Sequence, residues 1–359
     1  MSGFALHLPA WLAHVPTYVP PVDTTALNAP AWSPLWHPGS PVRFLPTFDW
    51  TGFGIHWSTV IGIAVLSAIY VYWMAGLRRR RGLEAAGDGW RITAFVTAQI
   101  VMFFSLNGPI HDLSDYYLFS AHMVQHLLLI LIWAPLLILS VPPWAQAMIL
   151  DWGRVGRAIE WAAKPVPAFT FFSVAFMMWH LQLLYGIMMR DHNVHIATHV
   201  MFMVTSVLLW WPVCQSAPGR PAMSDPLKML YLFLITLPMM PVAAFISLAT
   251  DVLYPWYTVA PRVFGLSPLA DQAAGGLIMW VPGNAVLWVA ITVIFFRWAL
   301  GQEKNERTRA PSPESKGEAQ AVGATPREGA KPPESEDPGL VLSSSHIGPS
   351  PGSAIRRLT

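Results

Sequence analysis

The sequence predicts an all-α polytopic membrane protein: a bundle of seven transmembrane helices, with the N-terminus outside and the C-terminus in the cytoplasm. Three observations lead there. Of 359 residues, 54% are hydrophobic and 12% charged, whereas a soluble domain carries about a quarter charged residues. The apolar residues gather into long runs, several near the ~18 residues that mark a membrane span. The basic residues fall on alternate connections between those runs.

Residues 1–55 are rich in Pro and Trp and show no sustained period. They read as an irregular periplasmic or interfacial arm, because indole and phenol rings favour the boundary between lipid and water. No basic region leads into an apolar stretch at the start, so no cleavable signal peptide is expected. The membrane domain, residues 56–300, holds seven apolar stretches at about 56–77, 92–110, 118–141, 168–189, 195–213, 228–250 and 272–299. Each is near the ~20 residues a helix needs to cross ~30 Å of hydrocarbon. Lipid offers the backbone no hydrogen bonds, so each stretch is expected to be helical. Pro135, Pro238, Pro241 and Pro282 fall inside or near spans and predict local kinks. Residues 301–359 are mostly Pro, Ser, Glu, Lys and Arg. They cannot bury enough surface to offset ordering entropy and read as a disordered cytoplasmic tail.

The first connection carries Arg78, Arg79, Arg80, Arg81 and Arg91. The third carries Arg154, Arg157 and Lys164, the fifth Arg220 and Lys228, and the tail begins with Arg297, Lys304, Arg307 and Arg309. The intervening loops hold only Arg190 and Arg262. Basic loops stay in the cytoplasm, which sets the orientation in the inner membrane. A net charge of +2 gives no argument for nucleic acid as a partner, and the one cysteine, Cys214, allows neither an internal disulfide nor a CxxC motif. Cys214 falls at the cytoplasmic end of the fifth span and reads as an inert thiol.

The histidines are one-sided. His122 and His126 lie at the outer end of the third span, and His195 and His199 at the outer end of the fifth. Each pair is spaced i, i+4, so both rings share one helix face, ~5–6 Å apart at Cβ. His180 lies nine residues before Met189, or ~13 Å below the surface on a straight helix. His111 and His192 fall in outer loops, and His56 opens the first span. Ionisable side chains are costly in lipid and mark partners or cavities, although a histidine can also serve only as a bond between helices. Two pairs plus His180, all toward one side, point to a metal centre at the outer face.

Imidazole serves Zn, Cu, Fe and Ni alike, and thioether sulfur favours Cu(I). Met123 lies between the histidines of the third span, and Met177, Met178, Met188, Met189, Met201 and Met203 lie near the others. Most methionines, including Met239, Met240 and Met279, are expected to be packing residues. No carboxylate falls among the paired ligands and there is no HExxH motif, so a zinc hydrolase gains no support. Asp271 and Gln272 open the seventh span, where Asp suits an N-cap and support of a ligand is the alternative. Asp112 and Asp115 read as solvated loop residues.

Three blocks resemble the CtaG family of cytochrome c oxidase assembly proteins: SAHMVQHLLLILIWAPLLILSVP from Ser120 to Pro142, LLYGIMMRDHNVHIATHVMFMVTSVLLWWPV from Leu183 to Val213, and LYPWYTVAPRVFGLSPLADQAAGGLIMWVPG from Leu253 to Gly283. The resemblance covers about residues 45–300. It implies a non-enzymatic role in the maturation of aa-type oxidases, handling copper at the outer face. It carries over His122, His126, His195 and His199 as histidine positions, His180 before LLYG, and Asp271, Gln272 and Trp280 as a DQ…MW motif. His192 has no counterpart in it. The expected ligands are therefore His122, His126, His180, His195 and His199, with Met123, Asp271 and Gln272 in support, and copper, as Cu(I), is the expected metal. Oxidase subunits and a periplasmic copper chaperone are the expected partners, along with the bilayer. A membrane copper transporter and a haem-binding redox protein are the rival readings.

Overall fold

The structure is a computed structural model. It describes residues 48, 50–83, 88–258, 260 and 262–309. Nearly all of the N-terminal arm, and the tail beyond residue 309, lie outside the described residues.

Apolar runs this long bury themselves only as helices, and the described residues are helical with no strand. The elements are α1 (Trp57–Arg80), α2 (Gly89–Ser105), α3 (Gly108–Tyr117), α4 (Phe119–Ser140), α5 (Pro143–Leu150), α6 (Gly153–Ala162), α7 (Pro165–Trp179), α8 (Gln182–Arg190), α9 (His192–Cys214), α10 (Asp225–Ser247) and α11 (Pro268–Arg309). Five of them, α1, α4, α9, α10 and α11, are long and apolar enough to cross a membrane. The pairs α2–α3 and α7–α8 pass the same test jointly but bend by 49° and 80°, so the spans number seven only if each bent pair is one span.

Two spans expected to be continuous are therefore broken, and neither break falls at a span proline. Pro238 and Pro241 lie inside α10, and Pro282 inside α11, with the helix continuing on both sides. The first break comes at Asn107, whose backbone is extended, and at Gly108, whose φ of 66° suits glycine. A Cβ on Gly108 would overlap the Phe53 ring. The break is stitched to the segment before α1: the His56 N–H donates to Asn107 Oδ1 at 2.7 Å, and the Gly108 N–H donates to the Gly54 carbonyl at 2.9 Å. The second break comes at His180, which ends α7, and at Leu181, which is extended. An 80° bend removes the straight-helix depth of ~13 Å expected for His180. The third connection, between α4 and α7, forms two short helices, α5 and α6, with Arg154 and Arg157 exposed on the second.

Helix α4 lies between α2 and α9, and α9 packs in turn on α7. Spans three and five are thus neighbours, the arrangement that their histidine pairs require. Helix α1 packs on α2 and turns Ile61, Val65 and Ile69 outward, as a lipid-facing helix does. Helix α11 approaches α4 and α10 through adjacent glycines: a Cβ on Gly275 would meet the Phe119 ring, and one on Gly276 would meet Ser247 and the Ala243 carbonyl. Small residues let helix backbones close up in lipid, where dispersion must substitute for the hydrophobic effect. Gly276→Leu is expected to cost at least about 1–3 kcal/mol by overpacking, read as a lower midpoint of unfolding in detergent. Gly301→Ala, where a Cβ meets nothing within 4 Å, is expected to leave it unchanged.

Candidate metal centre

Each i, i+4 pair closes on itself. His126 Nε2 lies 2.8 Å from His122 Nε2 on α4, and His199 Nε2 lies 2.9 Å from His195 Nε2 on α9. The pairs also face each other: ring centroids are 5.1 Å apart for His126 and His199, and 5.8 Å apart for His122 and His195. All four residues are buried. Within each pair one Nε2–H donates to the other Nε2. The remaining nitrogens His122 Nδ1 and His199 Nδ1 are buried without a hydrogen-bond partner, which is costly in a low-dielectric core. With metal–nitrogen bonds of about 2.0 Å, nitrogens ~2.8 Å apart subtend about 90° at one ion. The spacing thus fits two adjacent ligands of a single cation.

A carboxylate joins them. Asp115, expected in a solvated loop, is 6% exposed and lies on α3, in a stretch of wide π-type turns from Leu113 to Tyr117. Its Oδ2 is 3.6 Å from His195 Nδ1 and 3.3 Å from His111 Nε2. Donor atoms of Asp115, His122 and His195 all lie within 4.8 Å of one another, the one such group with metal-ligand potential among the described residues. The burial of Asp115 has a local cause. The chain resumes as a helix at Gly108 instead of leaving the bundle, so His111 and Asp115, four residues apart, point inward together. His111 is buried as well, and Gln125 of α4 donates to its Nδ1 at 3.0 Å. Ser114 completes the packing: its hydroxyl lies 3.0 Å from both Asp115 Oδ1 and Gln125 Oε1. The phenol of Tyr257, kept protonated by burial, donates to the Ser114 carbonyl. His192, also expected in a loop, is the first residue of α9. His56 sits beside His111, with centroids 4.1 Å apart, and 6.4 Å from His192.

His180 reaches the site beside His126. Its Nδ1–H donates to the Phe176 carbonyl at 2.6 Å, which leaves Nε2 for other contacts. It lines a narrow cleft with His126, Phe176, Met123, Met239 and Met279. Met123 therefore belongs to the His180 side of the site, and Met239 and Met279, read as packing, stand beside it. Cys214 packs against the core at the far end of α9.

Asp271 and Gln272 hold the scaffold. Asp271 does not cap its own helix, which already starts at Pro268. Its carboxylate accepts the N–H groups of Phe119 (2.7 Å) and Ser120 (3.1 Å) and the Ser120 hydroxyl, capping α4 from across the bundle. At the other end of α4 the Arg91 guanidinium donates to the carbonyls of Leu139 (3.0 Å) and Val141 (3.2 Å). Gln272 accepts the Leu253 N–H at 2.6 Å and donates to the Asp251 carbonyl at 3.2 Å, tying down the loop before α11. The wide turns at Leu128–Trp133 displace backbone bonds of α4, and the Trp210 indole N–H donates to the Ile130 carbonyl there.

The profile of the cytochrome c oxidase caa3 assembly factors matches residues 68–300. The chain belongs to the cytochrome c oxidase caa3 assembly factor family. The paired histidines, Asp115 and Asp271 of this assembly factor all fall inside the matched range, and His56 falls before it. The assembly factor is also similar to uncharacterized protein Mb0105 of Mycobacterium bovis and uncharacterized protein MT0111 of Mycobacterium tuberculosis, at 26% identity over 266 residues in each case. Those matches cover 67% of this chain and 39% of each relative. No solved structure matches it.

Asp271→Ala removes the cross-bundle cap of the histidine-bearing helix. It is expected to cost about 1–2 kcal/mol and to speed amide exchange at Phe119 and Ser120 in hydrogen–deuterium exchange.

Proposed function

We propose that this assembly factor binds copper between α4 and α9 and passes it to a nascent oxidase subunit, itself making and breaking no covalent bond of a substrate. The observation that carries the reading is the facing of the two histidine pairs around a buried carboxylate. His122, His195 and Asp115 are the central ligands, and His126 and His199 complete the set. Met123 and His180 flank it, and Asp271 and Gln272 act as positioning residues. Imidazole serves copper in both oxidation states. The Asp115 carboxylate suits Cu(II), and the thioethers of Met123, Met239 and Met279 on the His180 side suit Cu(I).

The loop charges orient the chain with α4 and α9 entering from the periplasm, in the inner membrane, so the site opens toward a periplasmic copper chaperone and the copper-bearing oxidase subunits. Two observations favour this reading over its rivals. Beyond His199 the cavity beside α9 offers one further thioether, Met203, and is then walled by Val204, Val207, Leu208 and Trp211, which gives a cation no continuous line of ligands toward the other face. The His126 and His199 rings stack at 5.1 Å with 15° between their planes, which leaves no slot for a porphyrin between them.

Copper analysis of the purified full-length protein tests the reading. Wild type is expected to retain copper, and His122→Ala/His126→Ala to lose at least about tenfold in affinity together with the activity of the oxidase it serves. Electron paramagnetic resonance of the loaded protein reports the oxidation state. Equal copper in both proteins would remove His122 and His126 from the site, and a zinc-only wild type would remove copper handling and leave a membrane scaffold.

A further inference from the structure

The paired histidines take up only part of the imidazole in this region. His56, His111 and His192 come from three separate segments: the residue before α1, the buried turn of α3 and the start of α9. They meet on one side of Asp115. All three, together with Asp115, His195 and His199, line a single cavity of about 600 Å³. His56 and His192 are half-buried, whereas His111, Asp115, His195 and His199 are buried, so the set runs from the rim of the cavity inward.

The distances form a continuous series. The centroids of His192 and His56 are 6.4 Å apart, and those of His56 and His111 are 4.1 Å apart. His111 Nε2 lies 3.3 Å from Asp115 Oδ2, and that oxygen lies 3.6 Å from His195 Nδ1. One carboxylate oxygen therefore stands within reach of both groups of rings. A buried carboxylate is costly unless a cation or several donors offset it, and the basic side chains within 4 Å of Asp115 among the described residues are the imidazoles of His111 and His195. The outer rings are held in place by the break before α3, where Asn107 and Gly54 bind the His56 segment to the segment carrying His111.

We propose that His56, His111 and His192 form an entry station for the copper ion, which moves by ligand exchange through Asp115 to the histidine pairs of α4 and α9. The inference rests on the copper-binding reading above. Each step exchanges one nitrogen or oxygen donor for the next, with no change in the charge of the ion. The outer rings collect the ion, Asp115 is shared by both stations, and the inner pairs retain it.

The test follows loading of the full-length protein in detergent with Cu(I), its release from a coloured chelator being timed. His56→Gln/His192→Gln alters the two half-buried rings and leaves every inner ligand in place. Uptake is expected to slow by at least about tenfold, the order lost when groups that assist a metal ligand set are removed, with the final copper content equal to wild type. That equal endpoint also shows that the variant is folded. A variant that loads within twofold of wild type, judged against that ~tenfold expectation, overturns the entry station and leaves the inner site standing. A variant whose endpoint falls makes the outer rings part of the retained site and overturns the relay. A wild type that takes up no copper overturns the proposed function, and the relay with it.

Discussion

Everything at the candidate centre depends on how α4 is held. Its first N–H groups have no intrahelical acceptors and its last carbonyls no intrahelical donors. Both ends are met from other helices, by Asp271 at the start and Arg91 at the finish. The signs also suit the helix macrodipole, anion at the N-terminus and cation at the C-terminus. His122 and His126 lie within the first turns after the capped end, so the carboxylate that fixes the helix also fixes the height and rotation of both rings. Gly275, against Phe119, lets α11 come close enough for Asp271 to reach.

The buried polar groups at the centre are poorly matched to one another. Two ring nitrogens have no partner, and Asp115 faces imidazoles, with no lysine or arginine within 4 Å of it among the described residues. A protein interior normally satisfies such groups. Elsewhere in the bundle such groups are met in part, at considerable distance in sequence: Trp210 reaches the Ile130 carbonyl, Tyr254 the His180 carbonyl, and Tyr257 the Ser114 carbonyl, while Gln99, Ser173 and Asn284 keep unpartnered atoms of their own. Unpartnered ring nitrogens and a buried carboxyl group gathered at one place are what a cation would complete. The family gives the same position a context, because oxidase assembly is the process these proteins serve.

Much of this was legible in the sequence, and what was missed has physical reasons. Lipid forces long apolar runs into helices, so the spans and the i, i+4 pairing of His122 with His126 and of His195 with His199 follow from spacing. Adjacency of the third and fifth spans does not, because helix order in a bundle leaves no periodic trace; packing of α4 against α9 supplied it. Asp115 was lost because the apolar run ends near residue 110 and the chain was taken to leave the bundle. The signal that could have found it was the same i, i+4 spacing, carried by His111 and Asp115. The spans were expected to be disturbed at prolines, but the breaks fall at Asn107–Gly108 and His180–Leu181, where extended backbone and a positive φ decide. Asp271 was legible as a capping residue, but sequence proximity suggested the wrong helix.

The wall of the large cavity has one more consequence. Around its histidines, its single carboxylate and the hydroxyls of Ser58 and Thr59 the lining is aliphatic and aromatic, with Leu66, Met102 and Trp133 among its residues. A hydrated cation arriving there must shed water and accept mostly nitrogen in return. Mg²⁺ gives up its aqua shell reluctantly and Ca²⁺ requires six to eight oxygens; neither finds a replacement shell in this lining. A late transition metal bonds well to imidazole. For an ion seeking that route, such a greasy wall would be a dehydration filter, disfavouring the abundant alkaline-earth ions by what it withholds and not by size.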